Sequence, residues 1–292
     1  MRVATAAYPV ERLESIEAWE EKLSSWVSRG AEGGADLLVF PEYAALEAAL
    51  AAQPPTEGTE VWERAGRDTA AFALETARRL AVAHGVHLLT GSGPWDEGGR
   101  TVNRCHLIAP DGTAGAVDKQ ILTPWERRET RLAPGRNLAL FDTALGRIGV
   151  LICYDAEFPL LARALNCDLL LIPSCTDAAT GAARVRNAAR ARALEGRCIT
   201  VMAATVGEVA GCEFLDRNTG RAGLYAPPDR GFPPDGVLAD GAVDLPGWVQ
   251  AEVATAMLAA LRGEAEVDIP AHWRESEVRA AADPRRLLAP TT

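Results

Sequence analysis

Short apolar runs alternate along this chain with longer segments whose apolar residues recur at helical spacing. The runs ADLLVF at 35–40, DLLLIPS at 168–174 and CITVMAAT at 198–205 have the length and composition of buried strands. Between such runs lie amphipathic segments, among them 13–34 and 65–84. Because strands and helices follow one another in turn, the sequence predicts a layered α/β fold.

Two stretches depart from this alternation and predict antiparallel pairing. CHLIAPDGTAGAVDK at 105–119 predicts a hairpin that turns at its central PDG, since all three are turn residues. Residues 220–245 are rich in Gly, Pro and Asp and predict a second antiparallel excursion. We therefore expect one domain over 1–262, followed by a C-terminal tail over 263–292 that packs on the domain or on a partner subunit.

Charge and spacing patterns limit the functions that this chain can have. The formal net charge is -10 and no long basic run is present, so we expect no nucleic-acid partner. No apolar run reaches the roughly twenty residues of a membrane span, and the N-terminus lacks a signal-peptide pattern, so we expect a cytoplasmic protein with no membrane partner. The six cysteines form no CxxC pair and the four histidines lack metal-ligand spacing, so we expect no metal, no cofactor and no disulfide framework.

Three polar side chains follow predicted strands, where α/β sheets bind their ligands. Glu42 follows LLVFP and is either a helix-terminal acid or a general base whose pKa is raised by burial. Lys119 ends GTAGAVDK, and Cys153 ends IGVLIC. Cys153 is either a small buried hydrophobe or a nucleophile whose thiolate is favoured by a helix that begins near Phe158 and by a neighbouring ammonium. Cys175, in PSCTD, is the only rival nucleophile.

Lys119 is one of only two lysines among the thirty basic residues, and the other is Lys22. Drift in composition explains an isolated surface lysine. The alternative is chemical, because an ammonium is a compact charge with three donors whereas a guanidinium is a wide planar fork. A narrow site with a single oxygen to stabilise favours the ammonium.

Three separated motifs resemble those of the nitrilase superfamily, also called carbon-nitrogen hydrolases. They are FPEY at 40–43, DKQILTPWERRE at 118–129 and GVLICYDAEFP at 149–159. DLLLIPSCTD and RARALEGRCITVMAATVG follow the same pattern, so the resemblance covers nearly the whole chain. It implies a four-layer α-β-β-α sandwich, assembled as a homodimer or a higher homo-oligomer. Some members of the most similar branch are fused to an acetyltransferase-type domain, for which we expect no room in 292 residues.

The resemblance also implies a catalytic triad of Glu42, Lys119 and Cys153, with Glu126 as a second glutamate. In such a site the cysteine attacks the substrate and forms a thioester, the first glutamate moves the proton, and Lys119 with the backbone N–H of Tyr154 stabilises the oxyanion. We expect a hydrolase of a small linear amide that releases ammonia or an amine. The alternatives are an N-carbamoyl hydrolase, a nitrilase, an acyl transferase that uses an amine in place of water, and a non-catalytic binding protein on the same fold.

Several positions around these motifs bear on substrate choice. Glu126 is expected to orient Lys119 or the substrate amide, and Glu129 is the nearby alternative. Many relatives have Arg where this chain has Glu157 and Asn where it has Gly196, and both departures concern the acyl pocket. The candidate substrate-binding residues are Tyr43, Trp125, Tyr154, Asp177 and Arg184.

Overall fold

The strands and helices follow the predicted alternation. The computed structural model describes residues 1–254, 257, 261, 263 and 266–282. Its strands are β1 (Arg2–Pro9), β2 (Leu37–Val39), β3 (His87–Leu89), β4 (Gly93–Glu97), β5 (Arg100–Ile108), β6 (Ala114–Asp118), β7 (Leu140–Thr143), β8 (Gly146–Val150), β9 (Leu169–Ser174), β10 (Ile199–Val206), β11 (Gly223–Tyr225), β12 (Val237–Asp240) and β13 (Gly247–Glu252). Its α-helices are α1 (Ile16–Glu32), α2 (Glu47–Ala52), α3 (Thr59–His84), α4 (Pro124–Glu129), α5 (Pro159–Leu165), α6 (Ala179–Gly196) and α7 (Trp273–Ala280).

The strands pair in two sets that meet at one junction. The first set has the order β13-β1-β2-β3-β5-β6, and β4 pairs with β5 beyond the end of β3. The second set has the order β12-β11-β10-β9-β8-β7. The two sets join where the last residues of β1, Ala7 to Pro9, pair in parallel with Ala204 to Val206 of β10. Both predicted antiparallel stretches are confirmed, because β5 pairs with β6 and β11 with β10 and β12 in that sense.

Alternate residues of the first sheet pack into two different cores, as the period of a strand requires. Val3 and Val39 lie in a core that also contains Ile148 of the second sheet, so the two sheets pack face to face. Ala4 and Leu38, their neighbours in sequence, lie in the other core with the apolar faces of α1 and α3. One sheet therefore separates an inner sheet-sheet core from an outer helical layer.

A second helical layer covers the outer face of the second sheet. Val185 and Ala189 of α6 are buried. The hydroxyl of Thr200 on β10 donates to the Ala189 carbonyl at 3.0 Å, which places this helix against β10. The order of layers is thus helix, sheet, sheet, helix. This arrangement confirms the predicted α/β fold and the four-layer α-β-β-α sandwich.

The described part of the predicted tail contacts the domain at α5. The guanidinium of Arg163 lies 4.9 Å from the ring centre of Trp273 and 2.6 Å from a carboxylate oxygen of Glu277. Residues 264–265 and 283–292 of the tail lie outside the described residues, as do part of 255–262.

Within the described ranges, no helix is long and apolar enough to cross a bilayer. The same ranges contain no group of three or more His, Cys, Asp or Glu side chains arranged to hold a metal ion.

Candidate active site

Lys119 lies between two buried carboxylates immediately after β6. Its Nζ is 2.8 Å from Oε1 of Glu42 and 2.8 Å from Oε1 of Glu126, and only 2% of its side chain is exposed. Its backbone N–H donates to the carbonyl of Asn103 at 2.9 Å, which fixes the residue at the end of the β5-β6 hairpin. Burial disfavours the ammonium, but the two carboxylates outweigh it and hold the pKa of Lys119 well above its ordinary value. The raised pKa favours the ammonium form of the side chain.

Glu42 follows β2 and turns its carboxylate into the same buried space. Oε1 accepts from Lys119 and also from the side-chain amide of Asn103 at 3.0 Å, while Oε2 accepts from the backbone N–H of Cys175 at 3.1 Å. Burial raises the pKa of Glu42, although Lys119 acts in the opposite direction. A carboxylate with a raised pKa is better matched to proton transfer near neutral pH than an exposed glutamate.

Glu126 is held in place by the local sequence TPWE. Thr123 caps α4 by accepting from the backbone N–H of Glu126 at 3.1 Å, and Oε2 of Glu126 accepts from the backbone N–H of Thr123 at 2.7 Å. This capping box leaves Oε1 to accept from Lys119 and from the hydroxyl of Tyr43 at 2.6 Å. Burial raises the pKa of Glu126, but these donors outweigh it and the net pKa is lowered. The lowered pKa favours the ionised carboxylate of Glu126 beside the lysine.

Cys153 lies at a strained turn just after β8. Its φ is +51°, a left-handed conformation that is uncommon for a residue other than glycine, and it begins the 3-10 turn Cys153–Glu157. Its thiol donates to the carbonyl of Cys175 at 3.4 Å. Burial and then the neighbouring Glu42 raise the pKa of Cys153 well above its ordinary value, and they outweigh the expected lowering by the Lys119 ammonium. The resting side chain is a neutral thiol beside a carboxylate.

Asp155 ties the lysine segment to the cysteine turn. Its carboxylate accepts from the backbone N–H groups of Gln120 at 3.0 Å, Ile121 at 2.8 Å and Ile152 at 3.2 Å. These three groups come from the chain just after Lys119 and just before Cys153, so one carboxylate fixes the distance between the two. The side chain thus serves backbone positioning.

The side chains of Glu42, Lys119, Glu126 and Cys153 line an open cleft of about 580 Å³, a volume typical of small-molecule sites. All nine residues selected from the sequence line it: Glu42, Tyr43, Lys119, Trp125, Glu126, Cys153, Tyr154, Asp177 and Arg184. The hydroxyl of Tyr43 is already bound to Glu126, and Arg184 is an exposed residue paired with Glu157 at 3.2 Å. Glu129, the alternative to Glu126, pairs with Arg128 on the exposed face of α4.

Known proteins are similar to this chain in sequence and in fold. The family model for carbon-nitrogen hydrolases matches residues 2–224. The chain belongs to the carbon-nitrogen hydrolase family. It is 31% identical over 252 residues to the probable hydrolase YhcX of Bacillus subtilis (strain 168), which covers 82% of this chain and 47% of that protein. It is 33% identical over 135 residues to an omega-amidase of Danio rerio, covering 42% of this chain and 47% of that enzyme. The chain thus spans about half the length of these relatives.

Solved structures share the fold. A mutant of the amidase from Nesterenkonia sp. AN1 superposes with a TM-score of 0.70 at 20% identity, over 96% of this chain and 99% of that one. That amidase carries acrylamide added at its active-site cysteine. The match confirms that the carbon-nitrogen hydrolase motifs of this chain lie on the fold expected for them.

Two residues of this carbon-nitrogen hydrolase site were not selected from the sequence. Phe214 packs edge-on against Tyr43 at 5.1 Å and Trp125 at 5.4 Å between ring centres, and so forms the apolar wall of the cleft. Asn103 donates to Glu42 from β5. Phe214 lies in a loop with no periodic pattern. Asn103 lies in a strand that also contains Arg100, Thr101, Arg104 and His106, so one further polar residue there gives no signal in the sequence.

Proposed function

We propose that this chain hydrolyses the carbon-nitrogen bond of a small linear amide through a thioester on Cys153. The observation that carries the proposal is the Lys119 ammonium, held 2.8 Å from both Glu42 and Glu126 in a cleft that Cys153 also lines. Family membership and the omega-amidase and amidase relatives support the same reaction class.

The first half of the reaction starts from a neutral thiol. Glu42 accepts the proton of Cys153 as the sulfur attacks the carbonyl carbon, so the sulfur–carbon bond forms as the side chain of Glu42 becomes protonated. The carbonyl oxygen then carries the negative charge, which Lys119 and the backbone N–H of Tyr154 stabilise. Glu42 returns its proton to the substrate nitrogen, the carbon-nitrogen bond breaks, and ammonia or an amine leaves a thioester on the sulfur.

The second half regenerates the enzyme by hydrolysis. Glu42 takes a proton from a water molecule as the oxygen attacks the thioester carbonyl, and Lys119 again stabilises the oxyanion. The carbon–sulfur bond breaks, the sulfur recovers the proton from Glu42, and a carboxylic acid leaves. The raised pKa of Glu42 suits a group that gives and takes a proton twice in each turnover.

The ammonium of Lys119 suits this site better than a guanidinium. Its Nζ donates to two carboxylates from within a side chain that is 98% buried, and its third N–H remains for the substrate oxygen. A planar guanidinium is larger and directs its donors in a fixed fork. The rarity of lysine in this chain is consistent with that requirement.

We also propose that the chain forms a homodimer in which α5 and the tail take part. Leu160 on α5 is 71% exposed, and Val278 on α7 is 66% exposed. Arg163 links the two helices through Trp273 and Glu277. Burial of these apolar side chains against a second copy removes them from water.

Release of ammonia from three panels of compounds tests the proposed reaction. Aliphatic amides are expected to be hydrolysed, whereas nitriles and N-carbamoyl amines test the two alternative activities. Cys153→Ala is expected to abolish turnover. Cys167→Ala, a matched loss of a buried thiol just before β9, is expected to retain it. Turnover that survives in Cys153→Ala, or none on any panel with the wild-type chain, contradicts the proposal.

A further inference from the structure

Asn103 is hydrogen-bonded to both Glu42 and Lys119, which form a buried ion pair. It lies on β5 and its side chain is fully buried. Its Nδ2 donates to Oε1 of Glu42 at 3.0 Å, and its backbone carbonyl accepts from the N–H of Lys119 at 2.9 Å. A single residue therefore contacts the carboxylate through its side chain and the lysine through its backbone.

The donors around Glu42 are divided unequally between its two oxygens. A carboxylate oxygen has two lone-pair positions. Within the described chain, Oε1 accepts from Lys119 and Asn103, so both of its positions are filled. Oε2 accepts from the backbone N–H of Cys175. Cys175 connects this oxygen to the thiol of Cys153, because its N–H donates to Oε2 and its carbonyl accepts from that thiol at 3.4 Å. We therefore assign the remaining lone-pair position on Oε2 to the Cys153 proton.

The amide of Asn103 is oriented at a cost to stability. Its Oδ1 is buried and has no hydrogen-bond partner among the residues that the structure describes. An unpaired buried acceptor is unfavourable. The reversed amide would place Oδ1 against the Glu42 oxygen, where two acceptors repel, so the carboxylate dictates the observed orientation. Such an arrangement is expected where a side chain serves the site at the expense of the core.

We propose that Asn103 is a positioning residue that reserves Oε2 of Glu42 for the proton of Cys153. Asn103 and Lys119 fill Oε1, so the carboxylate presents one defined lone pair toward the thiol. When the sulfur attacks, the S–H bond breaks and the proton forms a bond to Oε2, with no other group changing its protonation. This assignment deepens the proposed amidase function and depends on it.

Asn103→Leu tests the assignment, since leucine has a similar shape but neither the donor nor the unpaired acceptor. The matched control is Thr205→Val, which removes the hydrogen bond from the buried Thr205 hydroxyl to the backbone carbonyl of Glu42 and leaves the carboxylate donors intact. The readouts are the rate of Cys153 alkylation by iodoacetamide from pH 5 to 9, ammonia release, and the thermal midpoint.

In Asn103→Leu the acid limb of Cys153 alkylation is expected to move to higher pH by about one unit, because the ionised carboxylate loses a charge-assisted donor. The thermal midpoint is expected to stay near that of the wild type, because the unpaired Oδ1 is lost as well. Thr205→Val is expected to lower the thermal midpoint and leave the acid limb unmoved.

An acid limb that does not move in Asn103→Leu, or that moves equally in Thr205→Val, overturns the positioning role while leaving the amidase function intact. Wild-type protein that releases no ammonia and shows no pH-dependent alkylation of Cys153 overturns the amidase function and the positioning role together.

Discussion

Replacement of Lys119 by methionine removes the charge between two buried carboxylates without a large change in shape. The two Oε1 oxygens each lie 2.8 Å from Nζ. They are therefore separated by no more than about 5.6 Å, and two charges at that distance repel by about 3 kcal/mol at an effective dielectric constant of about 20. Loss of one partner of a buried ion pair costs about 3 to 5 kcal/mol overall. We expect Lys119→Met to lose that much free energy of unfolding at pH 8.

The loss of unfolding free energy in Lys119→Met is expected to depend on pH. Without the ammonium, burial and mutual repulsion raise the folded-state pKa of Glu42 or Glu126 above the value of about 4.3 in the unfolded chain. A raised carboxyl pKa means that the folded state binds more protons, so its stability falls as pH rises through that pKa. The destabilisation is therefore larger at pH 8 than at pH 5.

Urea unfolding at several pH values measures this effect, and Lys22→Met is the matched control. Lys22 is the only other lysine and pairs with buried Glu47 at 2.6 Å, outside the cleft. Both variants are expected to be destabilised, but only Lys119→Met is expected to lose ammonia release, by a hundredfold or more. A Lys119→Met protein that is equally stable at pH 5 and pH 8, or that retains full activity, refutes the reasoning.

Three further changes give distinct results. Tyr43→Phe removes the donor to Glu126 at 2.6 Å and is expected to lower the free energy of unfolding, measured in urea, by about 1.5 to 3 kcal/mol. An unchanged free energy of unfolding would contradict this expectation. Cys175→Ser keeps the backbone N–H and carbonyl that contact Glu42 and Cys153, so ammonia release is expected to persist. Loss of ammonia release in this variant would favour Cys175 as the nucleophile. Leu160→Glu places a charge at the most exposed apolar side chain of α5 and is expected to convert the dimer into a monomer, as measured by light scattering. A monomeric wild-type protein would contradict the proposed dimer.

The sequence was sufficient to predict the layers and the converging strand ends. Buried strands such as β9 show as uninterrupted apolar runs, and residues that follow their carboxyl ends meet at one edge. This pattern predicts that Glu42, Lys119 and Cys153 converge. The motif resemblance added the second sheet, since alternation of strands and helices is equally typical of a single-sheet fold.

Burial and long-range pairing could not be predicted from local sequence. The thiol of Cys153 was expected to ionise more easily, but full desolvation beside Glu42 has the opposite effect. Strand β13 lies more than two hundred residues from its partner β1, and the donor of Asn103 finds Glu42 across 61 positions. Such contacts depend on how the strands pair over the whole chain, so they cannot be predicted from neighbouring residues alone.

Mass spectrometry of the protein quenched during turnover of an amide tests the thioester on Cys153 most directly. The predicted result is an acyl adduct on the peptide that contains Cys153, which decays in water and is absent from Cys153→Ala. Amide turnover at the wild-type rate in Cys153→Ala, with no adduct at this sulfur in the wild type, would contradict it.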